Sequence, residues 1–294
     1  MVIDWDAVRD EVTGHLQALL RIETVNPPGN ETQAAEYLAG VAREAGIPFE
    51  IVEGTPGRGN FVARIKGNGA ARPILLLGHT DTVSVEREAW SRDPFGGELV
   101  DGYVWGRGAV DMKNQVAANL MVMLLLQREG IALSRDVIMA ATADEEAGST
   151  WGAKWLWENR RDLVDAEYGL NEGGGQALTI GGQRLYAVQV GEKGGARMRL
   201  TARAAPGHAS VPRDDTAMAR LGRALVRLHE FQPPTIITPS VAMMLRTLAP
   251  TWGGEWVSKV EQMIDTPRWA DLATLPLDEA TLLSLRATTH NTAV

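Results

Sequence analysis

Four acidic or histidine clusters, each directly after a short apolar run, constrain this chain more than any other feature. They are Ile74-Leu75-Leu76-Leu77-Gly78-His79-Thr80-Asp81, Gly106-Arg107-Gly108-Ala109-Val110-Asp111-Met112-Lys113, Val137-Ile138-Met139-Ala140-Ala141-Thr142-Ala143-Asp144-Glu145-Glu146 and Tyr168-Gly169-Leu170-Asn171-Glu172-Gly173-Gly174. Apolar runs of this length read as parallel strands buried on both faces. In open α/β sheets, ligands gather at the carboxyl ends of such strands. Four strand ends are therefore expected to bring His79, Asp111, Glu145, Glu146 and Glu172 to one place. Carboxylate oxygens and an imidazole nitrogen suit Zn²⁺, Co²⁺ or Mn²⁺.

The chain has 294 residues, enough for one large domain or two ordinary ones. Its net charge of −8 argues against a nucleic-acid partner, which would call for a basic face. With no cysteine, disulfides, thiolate metal sites and thiol nucleophiles are excluded, so any zinc must be held by nitrogen and oxygen. Met1-Val2-Ile3-Asp4-Trp5-Asp6 lacks the basic region and long apolar stretch of a signal peptide. The longest apolar runs, such as Leu120 to Leu126, are too short to span a bilayer. A soluble cytoplasmic protein with no membrane partner is the expectation.

Helical periodicity places Val8, Val12, Leu16 and Leu19-Leu20 on one side of a helix from about Trp5 to Arg21. Asn26-Pro27-Pro28-Gly29-Asn30 is a loop of strong breakers. A second helix is expected from Thr32 to Glu44, with Gly46 at its C-cap. Phe49 to Val52, Asn60 to Ile65, Ile74 to Leu77 and Val137 to Thr142 read as strands, and Met112 to Arg128 as a long apolar helix. Ser149 can cap a helix running to about Asn159. This alternation predicts an α/β fold: a mostly parallel mixed sheet flanked by helices.

The character changes near Gly191. Met198, Leu200 and Ala202 alternate with Arg197, Arg199 and Arg203, as in a half-exposed strand over Ala196 to Ala204. Asp214 to His229 reads as a helix, and Pro233 to about Glu279 as irregular, with tryptophans at 252, 256 and 269. The expected organisation is a catalytic metal-binding domain over residues 1–189 and a smaller α+β domain over residues 190–294.

His79 and Asp81 are two apart at a strand end, so their side chains can share one face. A nearby Asp can orient or polarise a catalytic group, although His-x-Asp alone also fits a structural pair. Asp111 alone has a second reading as a helix cap. Glu145 and Glu146 say more: adjacent carboxylates at the end of a buried strand repel each other and are costly without a cation. Glu172 precedes Gly173-Gly174-Gly175, where the backbone can approach a ligand closely. A two-metal site needs a carboxylate bridging ions roughly 3.5–4 Å apart, and terminal ligands on each.

On these motifs the chain resembles the co-catalytic zinc hydrolases that include aminoacylase-1, glutamate carboxypeptidase, succinyl-diaminopimelate desuccinylase and carboxypeptidase S. The matching segments are Gly78-His79-Thr80-Asp81-Thr82-Val83, Trp105 to Lys113, Asp144-Glu145-Glu146-Ala147-Gly148, Asn171-Glu172-Gly173-Gly174 and Pro206-Gly207-His208-Ala209-Ser210-Val211-Pro212, in the family's order and spacing. The resemblance implies two Zn²⁺ ions, with Co²⁺ or Mn²⁺ as alternatives. His79 and Glu172 would hold one ion, Glu146 would help hold the other, and Asp111 would bridge both. Asp81 would orient His79, and Glu145 would be the general base. It further implies an Asp111-Met112 peptide in the cis form.

His208 looks like the family's oxyanion-stabilising histidine. The resemblance places it in a lid domain that also forms a homodimer, from which that histidine usually reaches the other subunit's active site. Asn291, in Thr289-His290-Asn291-Thr292, resembles a segment that contacts substrate. The implied reaction is hydrolysis of an amide bond in a short peptide or N-acyl amino acid.

Two departures stand out. Asn114-Gln115 follow Lys113 where the family usually has Gly-Gly. The family's last histidine ligand lies far downstream, and His15, His229 and His290 do not fit that role. The expectation is a carboxy-terminally truncated member with an incomplete lid. The alternative reading is a non-catalytic chain that binds one metal or none. A two-metal phosphatase or nuclease is a third reading, disfavoured by the lack of a phosphate-cradling loop.

Overall fold

In the computed structural model, helix α1 (Trp5–Leu20) starts at Asp4, whose carboxylate accepts hydrogen bonds at 3.1 Å from the backbone N–H groups of Asp6 and Ala7. The structure describes residues 3–290 except 174, 176, 181, 187, 192, 195–197, 209 and 232. These divide into two units, residues 1–172 and 173–294. Asn291 lies outside the described residues.

In the first unit α1 is followed by α2 (Thr32–Glu44), β1 (Phe49–Glu53), β2 (Gly59–Ile65), β3 (Ile74–His79), β4 (Glu98–Val100), β5 (Tyr103–Trp105), α3 (Lys113–Arg128), β6 (Val137–Thr142), α4 (Ala153–Asn159), α5 (Arg161–Val164) and β7 (Tyr168–Leu170). Helix α2 stops where expected. Gly46 takes a left-handed φ of 69°, and Ile47 N–H returns to Ala42 O at 2.9 Å.

The main sheet has the order β1-β2-β6-β3-β7. Strand β3 runs parallel to β6 and to β7, whereas β2 runs antiparallel to β1 and β6. The expected mixed α/β sheet is present, with its parallel pairs at the centre and on the β7 side. Strand β6 is buried at all six positions, as its uninterrupted apolar run requires. Its side chains alternate between two cores. Met139 joins Leu19, Leu38, Phe61, Leu120 and Leu124 under α1, α2 and α3, while Ile138 and Ala140 join Val62, Leu156 and Val164 on the other face. Helices thus cover both faces.

Parallel pairing in register, Ile74 with Val137 through His79 with Thr142, ends β3 and β6 at one level. That level is where their polar clusters begin. Strands β4 and β5 form a separate two-stranded hairpin. Asp111 therefore does not follow a strand of the main sheet, as the sequence pattern suggests. It arrives from the loop after this hairpin, at the start of α3.

Ser149 does not cap α4. It has φ 57° in a turn, and the helix begins after Gly152, whose Cα packs so near Ala143 O that an added Cβ would lie 1.8 Å from it. The intervening residues are taken up by a 3-10 turn, Glu145–Ala147.

The second unit contains the hairpin β8 (Ala177–Ile180) and β9 (Gln183–Tyr186), then α6 (Ala217–Glu230), α7 (Pro239–Leu248), α8 (Gly254–Asp265), α9 (Trp269–Leu272) and α10 (Glu279–Thr289). The strand expected over 196–204 is absent among the described residues 198–204, which pair with no neighbour. Alternation alone cannot make a strand without a ladder partner. The segment from Pro233 to Glu279 is helical rather than irregular. Thr238 caps α7 through Val241 N–H at 3.3 Å, with Pro239 in the first turn. Val241, Leu245, Val260, Met263, Leu272 and Leu285 form a small core, flanked by Trp252, Trp256 and Trp269.

Candidate metal centre

His79 is the centre of the site. It ends β3, is 2 % exposed, and lies beside the fully buried Asp81. Its Nδ1 sits 3.0 Å from the backbone oxygen of Asp81 and 3.3 Å from Asp81 Oδ1. Acceptors on this side hold a proton on Nδ1, so Nε2 is the ring nitrogen left to face a metal.

Carboxylates surround that Nε2. Asp111 Oδ1 is 3.0 Å away, Glu172 Oε2 3.8 Å and Glu145 Oε2 3.9 Å. Glu146 joins through a second grouping, in which donor atoms of His79, Asp111 and Glu146 all lie within 4.8 Å of one another. His79, Glu145 and Glu172 satisfy the same limit. The structure thus brings together all five residues that the strand-end pattern singles out. Asp111 is not a helix cap: α3 has Met112 at its N-cap and no side-chain cap hydrogen bond. The Asp111-Met112 peptide is cis.

The electrostatics match a cation site. Burial and the charge of Asp111 push Glu146 upward, and burial, with the charges of Asp111 and Glu145, does the same to Glu172 despite His79. Burial works against a charged His79, but its hydrogen bond to Asp81 and the fields of Asp81, Glu172 and Glu145 raise it to about 9. Burial opposes ionisation of Asp81 too, yet hydrogen bonds from His79 and Asn26 hold it below its ordinary range. Crowded carboxylates around one buried imidazole are relieved by a divalent ion on the Nε2 side. Nitrogen and oxygen donors of this kind fit Zn²⁺, Co²⁺ or Mn²⁺.

His208 belongs to the second unit, is exposed, and has Nδ1 2.7 Å from Ser210 Oγ. Among the described residues no second imidazole joins the cluster. His15 Nδ1 meets Tyr37 Oη at 2.8 Å, His290 Nε2 meets Thr235 Oγ1 at 3.0 Å, and His229 is exposed on α6.

Sequence reading misses the layer behind the site. Asp81 Oδ1 accepts from Glu145 N–H at 3.0 Å, and Oδ2 from Glu146 N–H at 3.0 Å and Asn26 Nδ2 at 2.8 Å. Asn26, Glu31, Arg58 and Asp144 continue this network inward, all buried. Asn26 stands in a breaker-rich loop that reads only as a turn, and nothing local marks Arg58 as buried. Its neighbour Gly59 packs closely, since an added Cβ there would lie 2.8 Å from Thr32. A cavity of about 540 Å³ borders Arg58, Pro28 and Glu23, and none of the five converging residues lines it.

Comparison with known proteins agrees with this geometry. The family described as peptidase family M20/M25/M40 matches residues 75–270. Aminoacylase-1 of Sus scrofa is 34% identical over 217 residues, covering 72% of this chain and 52% of that protein. A succinyl-diaminopimelate desuccinylase of Cereibacter sphaeroides is 33% identical over 242 residues, covering 76% of this chain and 60% of that protein. The crystal structure of an M20 family metallo-carboxypeptidase from Sulfolobus solfataricus superposes with a TM-score of 0.50 at 25% identity, over 56% of this chain and 38% of that one. The chain thus spans about half the length of the curated relatives it matches. Among the described residues no helix is long and apolar enough to cross a membrane. With its motif-bearing strand ends lying inside the matched region, the chain belongs to peptidase family M20/M25/M40.

Proposed function

We propose that this chain carries the metal site of a hydrolase that cleaves an amide bond in a short peptide or N-acyl amino acid. The observation that carries the reading is the convergence of Asp111, Glu145, Glu146 and Glu172 on one outward-facing imidazole nitrogen. His79 Nε2 and Glu172 would hold one ion, Glu146 the other, and Asp111 would bridge them. When bound, the ions acidify a water and polarise the scissile carbonyl.

Glu145 would act as general base in this reading. Its Oε2 lies at the edge of the donor cluster, and its backbone is fixed by Asp81. It would take the proton of the attacking water and return it to the leaving amine. Asp81, 3.3 Å from His79 Nδ1, would orient the ring so that Nε2 meets the ion. His208 would supply a hydrogen bond to the oxyanion, and Asn291 would contact substrate. In this reading residues 1–189 form the catalytic domain and residues 190–294 a lid and dimerisation domain. Two Zn²⁺ ions, a homodimer and a cytoplasmic setting complete the proposal.

A non-catalytic chain is the less favoured alternative, because the family match runs through every segment that supplies the cluster. The test is release of free amine from a panel of N-acyl amino acids and dipeptides, with zinc- or cobalt-loaded protein beside Glu145→Gln. Hydrolysis that needs metal and Glu145 supports the proposal. Cleavage of phosphoesters but no amide would refute it.

A further inference from the structure

The turn that carries Glu145 and Glu146 closes on itself through Gly148 N–H to Glu145 O at 2.9 Å, which leaves the N–H groups of Glu145 and Glu146 to be held from outside. It is three residues long, flanked by left-handed Asp144 (φ 65°) and Gly148 (φ 104°). Such a turn makes few internal hydrogen bonds. Its orientation comes from Asp81, which accepts both N–H groups, one on each carboxylate oxygen. Asp81 is in turn held by Asn26 Nδ2, which also donates to Asp144 Oδ1 at 3.0 Å.

Asn26 could serve Asp81 only in one orientation. Rotating its amide by half a turn would set Oδ1 against two buried carboxylates. Arg58 forbids that rotation: Nη1 donates to Asn26 Oδ1 at 3.2 Å and to Pro28 O at 2.5 Å. The other arm, Nη2, lies 2.6 Å from Asp144 Oδ1 and 3.0 Å from Glu31 Oε1. One planar fork therefore neutralises two carboxylates and fixes an amide at the same time, which a lysine ammonium cannot do. Gly29 makes room for it. A Cβ there would lie 2.2 Å from Arg58 Nη1, and its φ is 95°.

We propose that Arg58 is a positioning residue, which through the amide of Asn26 and the carboxylate of Asp81 aims the Glu145–Glu146 turn at the metal centre. The proposal deepens the metal-site reading and rests on it for what the aimed carboxylates do. The chain of contacts itself is independent of any ion. Arg58 touches no ligand atom, so its effect must pass through the turn.

The test uses Arg58→Lys, which keeps the buried positive charge but loses the fork, and Asn26→Leu, which removes the relay amide. Amide hydrogen exchange is followed at Glu145 and Glu146, with Leu120 and Leu124 in α3 as references. Exchange at Glu145 and Glu146 is expected to quicken by about tenfold or more in both variants, with the α3 amides unchanged, as for a local loss of anchoring. In parallel, Co²⁺ alone is titrated and its visible absorption recorded. Its affinity should fall about 10- to 100-fold, the usual effect of removing an outer-shell partner, with a changed band shape.

Unchanged exchange at Glu145 and Glu146 in both variants would overturn the proposal. So would quickening that spreads equally to Leu120 and Leu124 in both, since that is a general packing role. Should the unaltered chain bind no Co²⁺ while the exchange result holds, the positioning role stands and the metal-hydrolase reading fails.

Discussion

Asp81→Asn removes a single charge and no volume, so its consequences can be worked from the hydrogen bonds alone. Each carboxylate oxygen of Asp81 serves two donor groups: Oδ1 faces Glu145 N–H and His79 Nδ1, and Oδ2 faces Glu146 N–H and Asn26 Nδ2. An asparagine must turn its NH₂ toward one of these pairs. Two buried donors then lose their acceptor whichever way it points. Asn26 cannot rotate to compensate, because its Oδ1 is held by Arg58 and would otherwise meet Asp144. His79 keeps the backbone oxygen of Asp81 at 3.0 Å as an alternative acceptor. The less costly orientation therefore leaves Glu145 N–H and the new amide N–H unsatisfied, and at about 1–3 kcal/mol for each the variant should lose about 2–6 kcal/mol. Urea unfolding followed by tryptophan fluorescence measures this directly. Metal affinity should fall in parallel by about 10- to 100-fold. A loss below about 1 kcal/mol, near the net worth of one ordinary hydrogen bond, would refute the picture of Asp81 as the buried anchor of the site.

Other consequences follow from single contacts. Glu145→Gln should lower amide turnover by about 10²- to 10⁴-fold while metal analysis shows unchanged loading. Leu124→Ala, in the core between α3 and the sheet, should cost about 2–5 kcal/mol in denaturant unfolding. Gly152→Ala should destabilise by about 1–3 kcal/mol, because its Cβ would collide with the backbone oxygen of Ala143. Asp136 is held below its ordinary range by Lys66 at 2.8 Å, with help from Gly67 N–H and Arg64. Its ionised form stabilises the fold above the unfolded carboxylate pKa of about 3.9, and that contribution fades as pH falls through the lower folded value. Asp136→Asn should therefore flatten the loss of stability on acidification, as read from unfolding midpoints across the acid range.

The sheet-bearing half of the fold was legible because its signals are local. An uninterrupted apolar run marks β6 to the residue, and breakers bound α2 on both sides. The five converging residues were also legible, since polar clusters at the ends of parallel strands have one place to go. The path of Asp111 was not, because a separate hairpin precedes it and periodicity does not say which sheet a strand joins.

Arg58 and Asn26 were invisible for a related reason. Their importance lies in contacts 32 residues apart and beyond, with no spacing to reveal them. The helix over Asp214 to His229 was legible, whereas those between Pro239 and Leu272 were hidden by Pro and Gly, which there start and separate helices, as at Pro239 and Gly253, instead of excluding them. Residues 198–204 failed in the opposite sense: the alternation is present, but no neighbouring strand is there among the described residues to make it a ladder.

The most direct test of the central claim is anomalous diffraction from crystals of this chain grown with Zn²⁺. The account predicts an anomalous peak about 2.0–2.1 Å from His79 Nε2, within ligand distance of the Asp111 and Glu172 carboxylates. A zinc-grown crystal in which His79 Nε2 still meets Asp111 directly, with no peak beside them, would contradict it.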